Sequence, residues 1–194
     1  MMLKSASILT AAVAVNAALI AQIPERAQWE TTFSQVEAAA GLPDLSRAGP
    51  ETYEARVMQR PWSAVGPLPF LRLVRTDNTV RAQIFLFWNQ AGMEPSRRPT
   101  GSDIVCRDGI CVRPVSVTPQ RDLGEVLESL AIQDACPQSS RTFGFFCADC
   151  DHIYIKTKAD NKFREQSCNA PKPDTPAGAV MLLMKTAADA TRRD

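Results

Sequence analysis

The chain has 194 residues, with 22 basic and 21 acidic side chains, and 45% of its residues are hydrophobic. That near-balance of charge leaves no basic field for nucleic acid or an anionic membrane surface. The length is enough for one domain with a real core, and the sequence shows no internal repeat and no low-complexity tract.

Residues 1–21 read as an export signal. Lys4 is the only charge before Glu25, and Ala6 to Ala21 is nearly all apolar or small. This run is shorter than the ~20 residues a spanning helix needs. Ala17, Ala18 and Ala21 are small residues at which a peptidase could cut, and the break at Gln22-Ile23-Pro24 favours Ala21. Cleavage would remove Lys4 and no acid, leaving 21 charges of each sign. The expectation is a single domain over residues 22–194, with no membrane span after cleavage. The short Ala-rich leader points to a bacterial periplasm or to secretion.

Residues 27–40, "AQWETTFSQVEAAA", place Trp29, Phe33, Val36 and Ala40 at helical spacing, with Gly41 as the stop. Residues 42–50 read as a loop. Residues 52–60 alternate, with Tyr53, Ala55 and Val57 on one side of a strand. Residues 70–88 form the clearest hairpin, turning at Asp77-Asn78 and pairing Leu73 with Ala82 and Leu71 with Ile84. One face then carries Leu71, Leu73, Val80, Ala82, Ile84, Leu86 and Trp88. The other carries Arg72, Arg81 and Gln83 near a wet turn, with Phe85 and Phe87 farther along under a helix.

Residues 89–102 are a long loop, and loops of this length often carry function. Asp108-Gly109 is a strong turn signal. It folds residues 103–117 into a second hairpin and sets Cys106 opposite Cys111. Thr118 and Pro119 start a helix over 118–133, with Leu123, Val126, Leu127 and Leu130 as its buried stripe. Residues 152–167 read as a third hairpin turning around Ala159–Asn161. Residues 175–190 repeat the Thr-Pro start and place Val180, Leu183, Met184 and Ala187 on one helical face, against a competing strand through Val180–Met184. Hairpins and helices without a βαβ rhythm predict an α+β domain: an antiparallel sheet packed against two or three helices and stapled by disulfides.

The six cysteines lie at positions 106, 111, 136, 147, 150 and 168, an even count behind an export signal. The string Phe143-Gly144-Phe145-Phe146-Cys147-x-x-Cys150 resembles the active-site region of periplasmic thioredoxin-like oxidoreductases over eight residues. That resemblance implies thiol–disulfide exchange at Cys147 and Cys150. The residues that follow depart from it: 151–158 alternate like a strand, and only 44 residues remain after Cys150. The alternative makes the cysteines staples. Even-sum pairing across the third hairpin would put Ile155 and Phe163 on one face and Cys150 near Cys168. The expected set is then Cys106–Cys111, Cys136–Cys147 and Cys150–Cys168.

His152 is the sole histidine, and no nucleophile elbow, P-loop or dinucleotide fingerprint is present. No catalytic residue, metal site or cofactor is nominated. The leading expectation is an exported, disulfide-stabilised, non-enzymatic domain that binds an envelope protein or a small ligand. Arg60, Trp62, Arg97 and Arg98 are its contact candidates, because Trp and Arg are favoured in hot spots.

Overall fold

The computed structural model describes residues 30–60, 67–91, 93–116, 122–132, 152–169 and 171–191. Within them, seven strands form one sheet: β1 (Glu54–Arg60), β2 (Leu68–Thr76), β3 (Thr79–Asn89), β4 (Val105–Arg107), β5 (Ile110–Val115), β6 (His152–Ala159) and β7 (Lys162–Asn169). Their order is β4-β5-β3-β2-β1-β6-β7, and every neighbouring pair is antiparallel. The described residues also form three α-helices: α1 (residues 30–39), α2 (Leu123–Ile132) and α3 (Pro176–Thr191). This is the α+β class that the sequence predicts.

Period-2 alternation decides which helix covers which face. Ala55, Val57, Leu71, Leu73, Ile84, Ile153 and Ile155 point to one side and are buried under Leu127 and Leu130 of α2 and Ala177, Val180, Met184 and Ala187 of α3. The spacing of those α3 residues is helical, so the competing strand through Val180–Met184 does not form. On the other side Met58, Phe70, Phe87, Ile110, Val112 and Tyr154 pack against Phe33, Val36 and Ala39 of α1. Phe33 meets Phe70 and Tyr154 edge-on, with ring centroids 5.4 and 5.6 Å away. The space between the Phe85/Phe87 face and its helix is therefore filled with side chains.

The turns set the registers. β2 and β3 pair Leu71 with Ile84 and Leu73 with Ala82 across Asp77-Asn78, as the hairpin pattern predicts. Asp108 and Gly109 both sit at positive φ, 49° and 80°, the backbone of a two-residue hairpin turn. At the end of α1, Gly41 at φ 70° lets the Leu42 amide reach back to the Glu37 carbonyl at 2.9 Å. Residues 42–50 are not wholly irregular: Leu45–Arg47 form a 3-10 turn capped by Asp44, and Leu45 is buried.

Two expectations need correction. The third hairpin turns on two residues, Asp160 and Asn161, both at positive φ. Ile155 consequently opposes Gln166, and Phe163 opposes Lys158. Ile155 and Phe163 lie on opposite faces, one register step from the predicted parity, so that parity no longer supports joining Cys150 to Cys168. Helix α2 begins at Leu123, later than predicted. The Asp122 carboxylate accepts the Gly124 amide at 2.7 Å, and the Asp122 carbonyl accepts the Val126 amide, which is how an N-cap behaves. Thr118 and Pro119 lie outside the described residues.

Candidate functional site

The antiparallel order sends several chain segments to one end of the sheet. There β1 ends at Arg60, β3 ends at Asn89, β5 begins at Ile110, and β6 begins at His152. Arg60 pairs with His152 at this end. Trp62 lies outside the described residues. Arg97 and Arg98 belong to the connection between β3 and β4, residues 90–104, where Pro95–Arg97 form a short 3-10 turn and Arg98 is exposed. The sequence candidates that the structure describes thus leave the sheet from the same end, on two different segments.

The 90–104 connection is held at both of its ends by the β4–β5 hairpin. At its start, the Gln90 amide donates to the Gly109 carbonyl at 2.8 Å. The Asn89 carboxamide oxygen accepts the Ala91 amide at 2.9 Å, and the Met93 amide reaches the Gln90 carbonyl at 3.0 Å. At its other end the chain enters β4, which is joined to β5 by the Cys106–Cys111 disulfide, with S–S 2.02 Å and Cα atoms 4.0 Å apart. This is the bond that the Asp108-Gly109 turn predicts. The Gln90 side chain links the two anchors, since its Nε2 donates to Cys111 Sγ at 2.8 Å. Between the anchors Glu94, Pro95, Ser96, Arg98 and Asp103 are exposed.

Beside this clip lies an open cleft of about 480 Å³. Glu30, Thr31, Ser34, Gln35 and Ala38 of α1 form one wall, and Asp108 of the hairpin tip forms the other.

A second polar cluster was not visible in the sequence reading. Under α1, Arg56 is 1% exposed and donates from Nη1 to Glu37 Oε1 and from Nε to Glu54 Oε1, both at 2.6 Å. Its Nη1 also reaches the Pro43 carbonyl at 2.7 Å. Arg72 holds both Glu54 oxygens at 2.8 Å, and Lys156 Nζ donates to Glu37 Oε2 at 3.1 Å while lying 4.3 Å from the Phe33 ring centroid. Burial pushes the Glu54 carboxyl up. The Arg72 hydrogen bonds and the Arg56 charge outweigh it and hold Glu54 below its ordinary value of 4.5. Among the described residues no buried side-chain polar atom lacks a partner. The cluster is closed, and its chemistry is that of a tie between α1 and the sheet. Glu37 inside the apolar stripe of α1 was the available signal.

His152 is half-buried on β6. Cys168, 1% exposed on β7, is also disulfide-bonded, to a cysteine outside the described residues. Cys136, Cys147 and Cys150 lie outside them too, as does the Cys136–Cys147 pairing. No helix among the described residues is long and apolar enough to cross a membrane. The chain matches no protein-family model, no curated protein and no solved structure.

Proposed function

We propose that the chain is an exported, disulfide-stabilised binding domain without enzymatic activity, and that residues 90–104 are the surface with which it grips a partner protein. The observation that carries this reading is the double anchoring of the loop: Gln90 bonds the hairpin tip at one end, and the Cys106–Cys111 bond fixes β4 at the other. Long ordered loops on a rigid sheet are common sites of recognition. A loop already held in shape loses less freedom on binding, which raises affinity. Arg98 is its exposed anchor, suited to a carboxylate on the partner. The neighbouring cleft, walled by Asp108, extends the contact surface.

The test is capture from the native envelope and culture medium with the oxidised protein, followed by mass spectrometry of what co-purifies. A single partner should recur, and Arg98→Glu should weaken its capture by on the order of tenfold or more. Arg81→Glu, at the opposite end of the sheet, should leave it unchanged. Equal capture by wild type and Arg98→Glu would end the assignment of this loop. The export part is read from intact mass: the mature protein should begin near Gln22, and an intact Met1 in those fractions would exclude cleavage.

A further inference from the structure

We infer that the Cys106–Cys111 bond is a reducible clip that regulates the 90–104 loop, a role that rests on the reading of that loop as the binding surface. Several observations converge on it. The bond spans a sequence separation of 5, too short a loop to add much stability by restraining the unfolded chain. Its position matters more than its length. β4 has three residues and, among the described residues, lies at the edge of the sheet and pairs with β5 alone. The disulfide adds a side-chain cross-link to the two-residue turn that joins the strands, so it helps fix where the loop ends. Gln90, where the loop begins, donates to the same bond through its side chain. Cleaving the S–S bond therefore loosens the β4 end of the loop, while Gln90 keeps its bonds to the Gly109 carbonyl and to Cys111 Sγ.

The two sulfurs are unequal in a way that suits directed exchange. Cys106 is exposed, whereas Cys111 is fully buried against the sheet. A thiolate from solvent can reach Cys106 Sγ. As the new S–S bond to Cys106 forms, the Cys106–Cys111 bond breaks and Cys111 leaves as a thiolate. The Gln90 N–H, 2.8 Å from Cys111 Sγ, stabilises that leaving group, and a better leaving thiolate makes exchange faster. The second thiol of the attacking dithiol then displaces Cys106, and the dithiol becomes a disulfide. In net terms two electrons and two protons pass to the protein, and the reductant is an exported dithiol. Cys168 offers the contrast. Its own sulfur is buried between the sheet and the α2–α3 layer.

The experiment treats the folded, oxidised protein with dithiothreitol as the dithiol, quenches by alkylation at intervals and maps the labelled cysteines. In parallel, hydrogen exchange is followed at the Ile104 amide, which donates to the Gly101 carbonyl at 3.3 Å, and at the β4 amides. Cys106 and Cys111 should be labelled together and before the fold is lost. As they are labelled, the Ile104 and β4 amides should lose protection while the β2–β3 amides keep theirs. The Gln90→Leu variant separates leaving-group stabilisation from simple tethering. It should slow reduction by on the order of threefold, whereas loss of a mere tether would speed it. The Cys106→Ser/Cys111→Ser variant should show the exchange pattern of the reduced protein without any reductant. A Cys106–Cys111 bond that resists dithiothreitol until the protein unfolds, or unchanged loop exchange after reduction, overturns the proposal. Neither readout uses a partner, so failure of the loop as a binding surface shows separately, as undiminished capture by Arg98→Glu.

Discussion

Replacing Arg56 with Met tests whether the buried charge cluster holds α1 on the sheet. Met keeps the apolar length of the side chain and deletes the guanidinium. The loss removes two charge-assisted hydrogen bonds, to Glu37 and Glu54, and one to the Pro43 carbonyl. Bonds to charged groups are worth roughly 1.5–3 kcal/mol each. Their sum overstates the effect, because Glu37 keeps Lys156 and Glu54 keeps Arg72. Breaking a buried pair costs ~3–5 kcal/mol when a charge is stranded, so the expected loss is about 3 kcal/mol. Urea unfolding followed by circular dichroism reads it as a midpoint lowered by on the order of 1–3 M. Arg47→Ala is the control, since the Arg47–Asp44 pair at 3.4 Å is largely exposed and should change stability by less than ~0.5 kcal/mol. An Arg56→Met loss below ~1 kcal/mol would put the cluster in the class of solvated pairs and refute the tie.

Leu73, buried on the helix-covered face opposite Ala82, should cost roughly 2–5 kcal/mol on truncation to Ala, and a change within ~0.5 kcal/mol in the same unfolding assay would overturn the register. At Gly178, an added Cβ would lie 1.8 Å from the Lys172 carbonyl oxygen, which itself accepts from Thr175. Gly178→Ala should therefore destabilise by about 1–3 kcal/mol despite the better helix propensity of Ala, and unchanged melting would disprove that close approach. Because the Glu54 carboxyl is depressed in the folded protein, its contribution is complete above its ordinary value of 4.5 and fades as pH falls through the lower folded value. Melting temperature should drop on acidification through that window, and Glu54→Gln should begin lower and show a shallower acid slope.

The parts of this fold that could be read from the sequence are those in which a turn and an alternation agree. Asp108-Gly109 and Asp77-Asn78 each admit one short turn, and the strands they join show their faces, so both registers followed. The third hairpin gave less. Ala159-Asp160-Asn161 fits two turn lengths, and β6 is buried on both faces, so Ile153 and Ile155 compete with Tyr154 and Lys156 without an exposed side to settle parity. The cluster under α1 was missed for a related reason. Glu54 and Arg56 look like the solvated side of a strand until β1 is placed in the middle of the sheet with a helix above it. That placement comes from pairing β1 with β6, whose partners lie about a hundred residues away in the chain. For the candidate site, the long loop and the Cys106–Cys111 bond were legible. The anchoring of one by the other through Gln90 was not, because a side chain bonded across a hairpin leaves no periodic trace.

The central position of β1 also sets the order in which the molecule can assemble. Glu54 pairs with Lys158, and Glu37 and Lys156, 119 positions apart, share a hydrogen bond. A nascent chain can close the β2–β3 and β4–β5 hairpins early, since both are local. It cannot complete the sheet, or add Tyr154 and Lys156 to the packing under α1, until β6 has emerged from the ribosome or from a translocation channel. Closing such distant contacts makes folding slow relative to a helical bundle of the same size. Until then the edge of β1 that pairs with β6 stays open to chaperones and to aggregation.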